Sequence, residues 1–191
     1  SNAGNGAVTF TGAVGDSLTN LAIGALTVNS AGVTTFVSAV DAASVTTDGV
    51  GSVRIQGARI TTTGAQTYND DVVLGSSTHA TELNTTNSNV IFGGKLNNQT
   101  ATAEALTINA GNGAVTFTGA VGEAVGSNNG PVGALIVNSG SATTLVSTVD
   151  AASVTTDAIG TVVIKGGRVT TSGAQTYNDD ALLDKSGTRL T

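Results

Sequence analysis

Two acidic pairs are the residues of this chain whose types best suit metal binding. Each pair follows an asparagine in the sequence Asn-Asp-Asp, which occurs at 69–71 and again at 178–180. Calcium is bound by about six to eight oxygens, which carboxylates and carbonyl groups usually supply. The candidate cation ligands are therefore Asn69, Asp70, Asp71, Asn178, Asp179 and Asp180.

The local pattern limits what these pairs can do alone. Adjacent residues on a strand point to opposite faces, so Asp70 and Asp71 do not chelate one ion by themselves. The glycine-rich nonapeptide of calcium-binding β-rolls is also absent from the chain. We expect solvated corner carboxylates, with a weak calcium site as the alternative and no other cofactor.

Nothing in the sequence forms a catalytic constellation. His79 is the only histidine, and nucleophilic catalysis needs a histidine with a nucleophile and an orienting group at defined positions. Glycoside hydrolysis needs two carboxyls about 5 to 9.5 Å apart, and a sugar-binding groove would have only Tyr68 and Tyr177 as aromatic platforms. The glycine-rich segments at 4–8 and 111–115 lack the Gly-Lys-Ser/Thr ending of a phosphate loop and predict turns. We expect no catalytic residues and no enzyme.

Two arginines occupy equivalent places after similar apolar runs. Arg59 and Arg168 could pair with Asp48 and Asp157 across a corner of the fold. An exposed ion pair contributes only about 0.2 to 1 kcal/mol. The arginines therefore predict a surface that resists association, not a ligand site.

The composition bounds the core and the partners. The chain has 191 residues with 39% apolar and 3% aromatic residues, so its core must consist of Val, Ala, Leu and Ile. Its net charge of −6, with seven basic residues, argues against a nucleic-acid partner. No apolar run approaches the ~20 residues of a membrane helix. The absence of cysteine excludes disulfides and thiolate zinc sites.

Long internal repeats organise the chain. Three segments recur without change further along the sequence: GNGAVTFTGAV (4–14 and 111–121), VDAASVTTD (40–48 and 149–157) and GAQTYNDD (64–71 and 173–180). Residues 1–3 have the form of a cleaved expression tag and are set aside. The first long repeat, 4–110, is followed by an incomplete second, 111–191, and both predict one continuous unit.

A shorter period lies inside the long one. Runs of Val, Ile and Thr at alternate positions, bounded by Gly, Asn, Ser and Asp, predict short strands throughout. We take the following large residues as markers of successive coils: Phe10, Phe36, Ile55, Val73, Phe92 and Phe117. They give five coils per long repeat, about 21 residues per coil and roughly nine coils in all. A coil of this length is typical of a parallel β-solenoid.

Strand alternation assigns an inside and an outside. Phe10 and Phe117 are copies of one position and are expected to point inward, while Asn29, Asn109 and Asn138 are candidates for corners. The alternative is a tandem array of β-sandwich domains, which also have about 100 residues each. The lack of tryptophan and the similarity below the long-repeat level argue for the solenoid.

The segments GAVTFTGAVG, ALTVNSAG, AASVTTD and TTTGAQTYNDDVVLG carry a family resemblance. From Gly4 to Leu183 the chain resembles the repeat regions of filamentous-haemagglutinin-like adhesins, autotransporter passenger domains and related bacterial exoproteins. The resemblance implies a right-handed parallel β-helix, secreted or held on the outer surface of a Gram-negative-type cell.

The functional expectation follows from that resemblance. We expect a structural stalk segment that supports adhesion or surface presentation without catalysis, with a host or neighbouring-cell glycan or protein as its partner. A carbohydrate-binding or polysaccharide-processing β-helix is the alternative. Terminal coils that expose unpaired strand edges also predict end-to-end self-association.

Overall fold

A computed structural model describes residues 1–15, 22–57, 59–75, 79–99, 102–123 and 130–191. Within these ranges every regular element is a β-strand. Strands β1 to β22 are, in chain order, Asn2–Gly4, Val8–Phe10, Ile23–Ser30, Val33–Phe36, Val40–Thr47, Ser52–Ile55, Arg59–Thr62, Gln66–Tyr68, Asp71–Leu74, Thr81–Thr85, Val90–Phe92, Leu96–Asn98, Leu106–Gly111, Val115–Phe117, Val132–Ser139, Ala142–Leu145, Val149–Thr156, Thr161–Ile164, Arg168–Thr171, Gln175–Tyr177, Asp180–Leu183 and Arg189–Leu190.

The paired strands stack in three columns, which we call faces A, B and C. Face A runs through Val8, Thr34, Val53, Val72, Leu96, Val121, Val149, Val169 and Leu190. Face B runs through Val14, Val40, Ile60, Leu83, Ile108, Val137, Thr156 and Tyr177. Face C runs through Leu26, Val45, Gln66, Val90, Val115, Thr143, Val162 and Ala181.

Parallel pairing confirms the β-solenoid and contradicts the sandwich alternative. Every ladder between these strands is parallel, whereas a sandwich is built from antiparallel sheets. The pitch of about 21 residues is confirmed, but roughly nine coils is too many. Seven turns run from Val8 to Val169, and the two-residue strand β22 closes one more. The number of turns is smaller than expected because the segments between strands make some turns longer than about 21 residues, as in the turn from Val121 to Val149.

The core is a continuous apolar column with two aromatic stacks. Phe10 stacks on Phe36 in face A, with ring centroids 5.3 Å apart. In face C, Tyr68 stacks on Phe92 and Phe92 on Phe117, at 5.5 and 4.9 Å. The single series of coil markers expected from the sequence is therefore wrong, because its members belong to two faces.

Two details of the alternation differ from expectation. Leu74, not Val73, continues the inward series after Ile55, because it pairs directly with that residue and is fully buried. Phe117 points inward as expected. Its copy Phe10 packs against the core but is only partly buried, because it lies in the first turn of the described chain.

The predicted corner asparagines form ladders along the solenoid. The Asn138 side-chain amide donates to Asn109 Oδ1, and the Asn109 amide donates to Asn84 Oδ1, both at 2.7 Å. The Asn29 amide donates to Asn2 Oδ1 at the same distance. Residues 1–3, set aside as a tag remnant, therefore take part in the fold, because Asn2 begins strand β1.

The two long repeats are related by a rotation as well as a translation. Val40 lies in face B, whereas its copy Val149 lies in face A. Phe10 lies in face A, whereas its copy Phe117 lies in face C. One long repeat therefore occupies four and two-thirds turns, not five, and each copy is displaced by about a third of a turn.

Candidate functional site

The first acidic pair lies where the chain passes from face C to face A. Strand β8 ends at Tyr68 and strand β9 begins at Asp71. Asp70 is 2% exposed, while Asp71 is exposed and its Oδ1 accepts a hydrogen bond from the Lys95 backbone N–H at 2.7 Å. The two carboxylates therefore differ in environment, and they do not form a chelating pair.

A threonine and a second aspartate lie beside Asp70, on the preceding turn. We call Thr47, Asp48 and Asp70 acidic corner 1. Neither carboxylate oxygen of Asp70 has a partner within hydrogen-bond geometry, and neither does the buried hydroxyl of Thr47. The pKa of Asp70 is raised to about 6, mainly because burial disfavours the charged carboxylate. The nearby Thr47 hydroxyl lowers this pKa, the charges of Asp48 and Asp71 raise it, and the Val50 backbone lowers it least.

Local backbone structure holds the corner in place. The Ser30 N–H donates to Asp48 Oδ1 at 3.0 Å, which ties this aspartate to the turn below. The Asn69 amide donates to the Thr47 carbonyl oxygen at 2.7 Å and ties the next turn on top. Gly51 has a φ of 118°, where a side chain would collide with the Ser30 and Gly32 carbonyls. This glycine permits the sharp bend after Asp48.

The second long repeat reproduces the arrangement as acidic corner 2, formed by Thr156, Asp157 and Asp179. Asp179 is 7% exposed, and its carboxylate oxygens and the Thr156 hydroxyl again lack partners within hydrogen-bond geometry. The Ser139 N–H donates to Asp157 Oδ1 at 3.1 Å, and Asn178 donates to the Thr156 carbonyl at 2.7 Å. Burial, followed by the charge of Asp157, raises the pKa of Asp179.

Of the six candidate cation ligands, the structure places two in the acidic corners, next to aspartates that were not among the candidates. Asp70 and Asp179 are buried in the corners, whereas Asp71 and Asp180 are exposed and the amides of Asn69 and Asn178 are bonded to carbonyls. Sequence reasoning missed Asp48 and Asp157. Each of them precedes the buried aspartate by about one turn of the solenoid, and this interval is the same in both copies. That spacing could have identified them from the sequence.

No larger metal-ligand cluster is present in the described part of the chain. Groups of three or more His, Cys, Asp or Glu side chains that could hold an ion are not found there. Each acidic corner supplies two carboxylates and one hydroxyl. Any cation held there would also need backbone oxygens or water to complete its coordination.

The predicted arginine pairs have other partners. Arg59 Nη2 lies 3.6 Å from Asp41 Oδ2, and Arg168 makes two hydrogen bonds to Asp150, at 2.9 and 3.0 Å. The expectation of Asp48 and Asp157 is wrong because those aspartates bond to backbone N–H groups of the preceding turn.

An open groove of mixed polar and apolar lining includes the single histidine. It has a volume of about 850 Å³ and is lined by residues that include Gln56, Arg59, His79 and Glu82. Tyr68 and Tyr177, the two candidate aromatic platforms for a sugar, do not line this groove. Tyr68 is fully buried, and its hydroxyl donates to Gln66 Oε1 at 2.9 Å. Tyr177 is partly buried and makes the same contact with Gln175 at 3.1 Å.

Comparisons with known proteins give no relatives. No family model, no curated protein and no solved structure matches this chain. The described residues contain no helix long and apolar enough to cross a membrane.

Proposed function

We propose that this chain is a stalk segment of a secreted or cell-surface, adhesin-like bacterial protein, with no catalytic role of its own. The proposal is supported by one observation above all. Face A continues without a break from Val8 through both long repeats to Leu190. Two stacked repeats therefore form one rod, and at the ~4.8 Å spacing of strands the seven turns to Val169 extend roughly 34 Å.

The resemblance to filamentous-haemagglutinin-like and autotransporter repeat regions supplies the location and the partners. We expect the protein to project from the outer surface of a Gram-negative-type cell towards a host or neighbouring-cell glycan or protein. Association with a second copy stays a prediction.

Surface labelling tests the location. Antibodies raised against the purified chain should label intact cells of the producing bacterium. Antibodies against a cytoplasmic protein serve as the control and should label only permeabilised cells. Labelling by both antibodies only after permeabilisation would overturn the proposal.

A binding function for the histidine groove is the second candidate. The groove combines a cation, a carboxylate and an imidazole on one surface, which suits a charged or polar sugar. A glycan array probed with the chain would then show saturable binding, lost in Arg59→Ala. Arg168→Ala is the matched control, because Arg168 is the copy of Arg59 in the second repeat. Saturable binding that Arg59→Ala leaves unchanged would exclude the groove as the glycan-binding site.

A further inference from the structure

Each acidic corner concentrates negative charge that the described protein does not neutralise. Burying a carboxylate is costly unless it is paired or hydrogen-bonded. The ion pairs among the described residues engage Asp41, Glu123, Asp150 and Asp184, and none engages an aspartate of the corners. Asp70 and Asp179 are nevertheless almost fully buried, each with a second aspartate close by.

In each acidic corner the buried atoms without a hydrogen-bond partner are all oxygens. Neither the carboxylate oxygens of Asp70 nor the hydroxyl of Thr47 has a partner within hydrogen-bond geometry, although these two residues are 2% and 1% exposed. The hydroxyl and the carboxylate lie near each other, so that both can turn towards a common ion. An oxygen-only donor set selects hard cations over zinc or copper. Two carboxylates balance the charge of a divalent ion, and an irregular corner suits calcium better than magnesium, which demands near-ideal octahedral geometry.

The same oxygens recur in the second repeat, although that copy lies on a different part of the solenoid. Asp179 and Thr156 again carry unpartnered buried oxygens. In both copies the flanking bonds of the first aspartate and of the asparagine are preserved. The arrangement therefore belongs to the repeat and not to one irregular loop.

We propose that each acidic corner binds one calcium ion, between Asp48 and Asp70 in the first repeat and between Asp157 and Asp179 in the second. Thr47 and Thr156 contribute their hydroxyl oxygens. This inference is independent of the stalk proposal, since it concerns only the chemistry of the corners.

Titration calorimetry on chelator-treated protein tests the proposal. Calcium chloride, added to about ten times the 10⁻³ M upper limit for extracellular calcium modules, should give a stoichiometry of two ions per chain. Asp70→Asn should leave one site, and the double variant Asp70→Asn/Asp179→Asn should leave none. Calcium should also raise the Tm of the wild type but not that of the double variant.

The controls separate site binding from general charge effects. Asp71→Asn/Asp180→Asn removes the same number of charges from exposed neighbours and should retain two sites. Asparagine is close in size to aspartate, and circular dichroism verifies that each variant keeps its β-structure. Absence of a calcium-dependent heat and Tm shift in the wild type would overturn the proposal. An equal loss of calcium binding in the exposed double variant and in the buried double variant would also overturn it.

Discussion

The segment from Gln66 to Leu74 and its copy from Gln175 to Leu183 have nearly the same sequence but different neighbours. The first lies between two turns, so Gln66, Tyr68 and Leu74 are fully buried. The second has only strand β22 beyond it, and Leu183 is 48% exposed. Even so, the tyrosine hydroxyl donates to the glutamine in both copies, at 2.9 and 3.1 Å.

This comparison separates conformation from stability. The local sequence and a few backbone atoms around it are sufficient to set the geometry, because both copies retain the same hydrogen bonds. The turn above decides how much apolar surface leaves water, and therefore how much each contact stabilises the fold. Identical residues in the two repeats should then differ in energetic weight.

The largest difference is expected for the two copies of one phenylalanine. Phe117→Ala should lower the free energy of unfolding by about 3 to 5 kcal/mol, as for other buried phenylalanines, because it removes the stack on Phe92. Phe10→Ala should cost less than half as much, because Phe10 is only partly buried. Urea denaturation of both variants gives the two values. Equal losses would mean that the terminal turn is as well packed as the interior.

The glutamine copies sharpen the same comparison. Gln66 Nε2 donates to the carbonyls of Ile60 and Asn84 at 3.2 and 2.9 Å, deep in the core. Gln66→Leu should cost about 1 to 3 kcal/mol, because it leaves buried polar groups unpaired. Gln175→Leu should cost less, since water reaches its partners. Adding Tyr68→Phe to Gln66→Leu should recover part of the loss, and no recovery would assign the cost to packing.

The acidic corners predict a pH dependence of smaller size. In chelator, the folded protein holds a proton on Asp70 up to pH about 6, whereas an unfolded aspartate releases it near pH 3.9. The free energy of unfolding should therefore fall as pH rises between about 4 and 6. We expect a fall in Tm of roughly 2 to 4 °C, or ~1 kcal/mol.

The variant Asp70→Asn isolates the contribution of Asp70 to this pH dependence. The nearby charges of Asp48 and Asp71 enlarge that contribution, because they raise the pKa of Asp70. The variant should show a flatter Tm profile across the same pH window. Asp71→Asn should retain most of the slope, because burial is the main cause of the raised pKa of Asp70. A Tm that rises from pH 4 to 6 in the wild type would contradict a buried Asp70 that retains its proton.

The smallest effect is expected at the surface. Arg168→Ala removes a two-bond contact with Asp150, and such exposed pairs contribute about 0.2 to 1 kcal/mol. The loss should disappear at 1 M salt, where the screening length is about 3 Å. Denaturation at low and high salt measures it, and a salt-independent loss would indicate packing by the arginine stem.

The repeat pattern was sufficient to predict the fold class and most strand positions. Period-two alternation and turn residues are local, so they can be read from one segment at a time. The assignment of residues to faces could not be read in this way. It depends on how many residues each corner consumes, which moved the inward position from Val73 to Leu74 and brought Asp48 beside Asp70.

The fractional number of turns in one long repeat has a geometric consequence. Four and two-thirds turns make successive copies of any surface residue follow a screw, so that three long repeats are needed before the same residue faces the same direction. In an array of such repeats, the copies of one surface residue therefore point in three directions around the solenoid axis, and no single side of the array carries all of them. A flat binding partner meets one copy per three repeats, whereas a cylindrical array of partners can engage every copy.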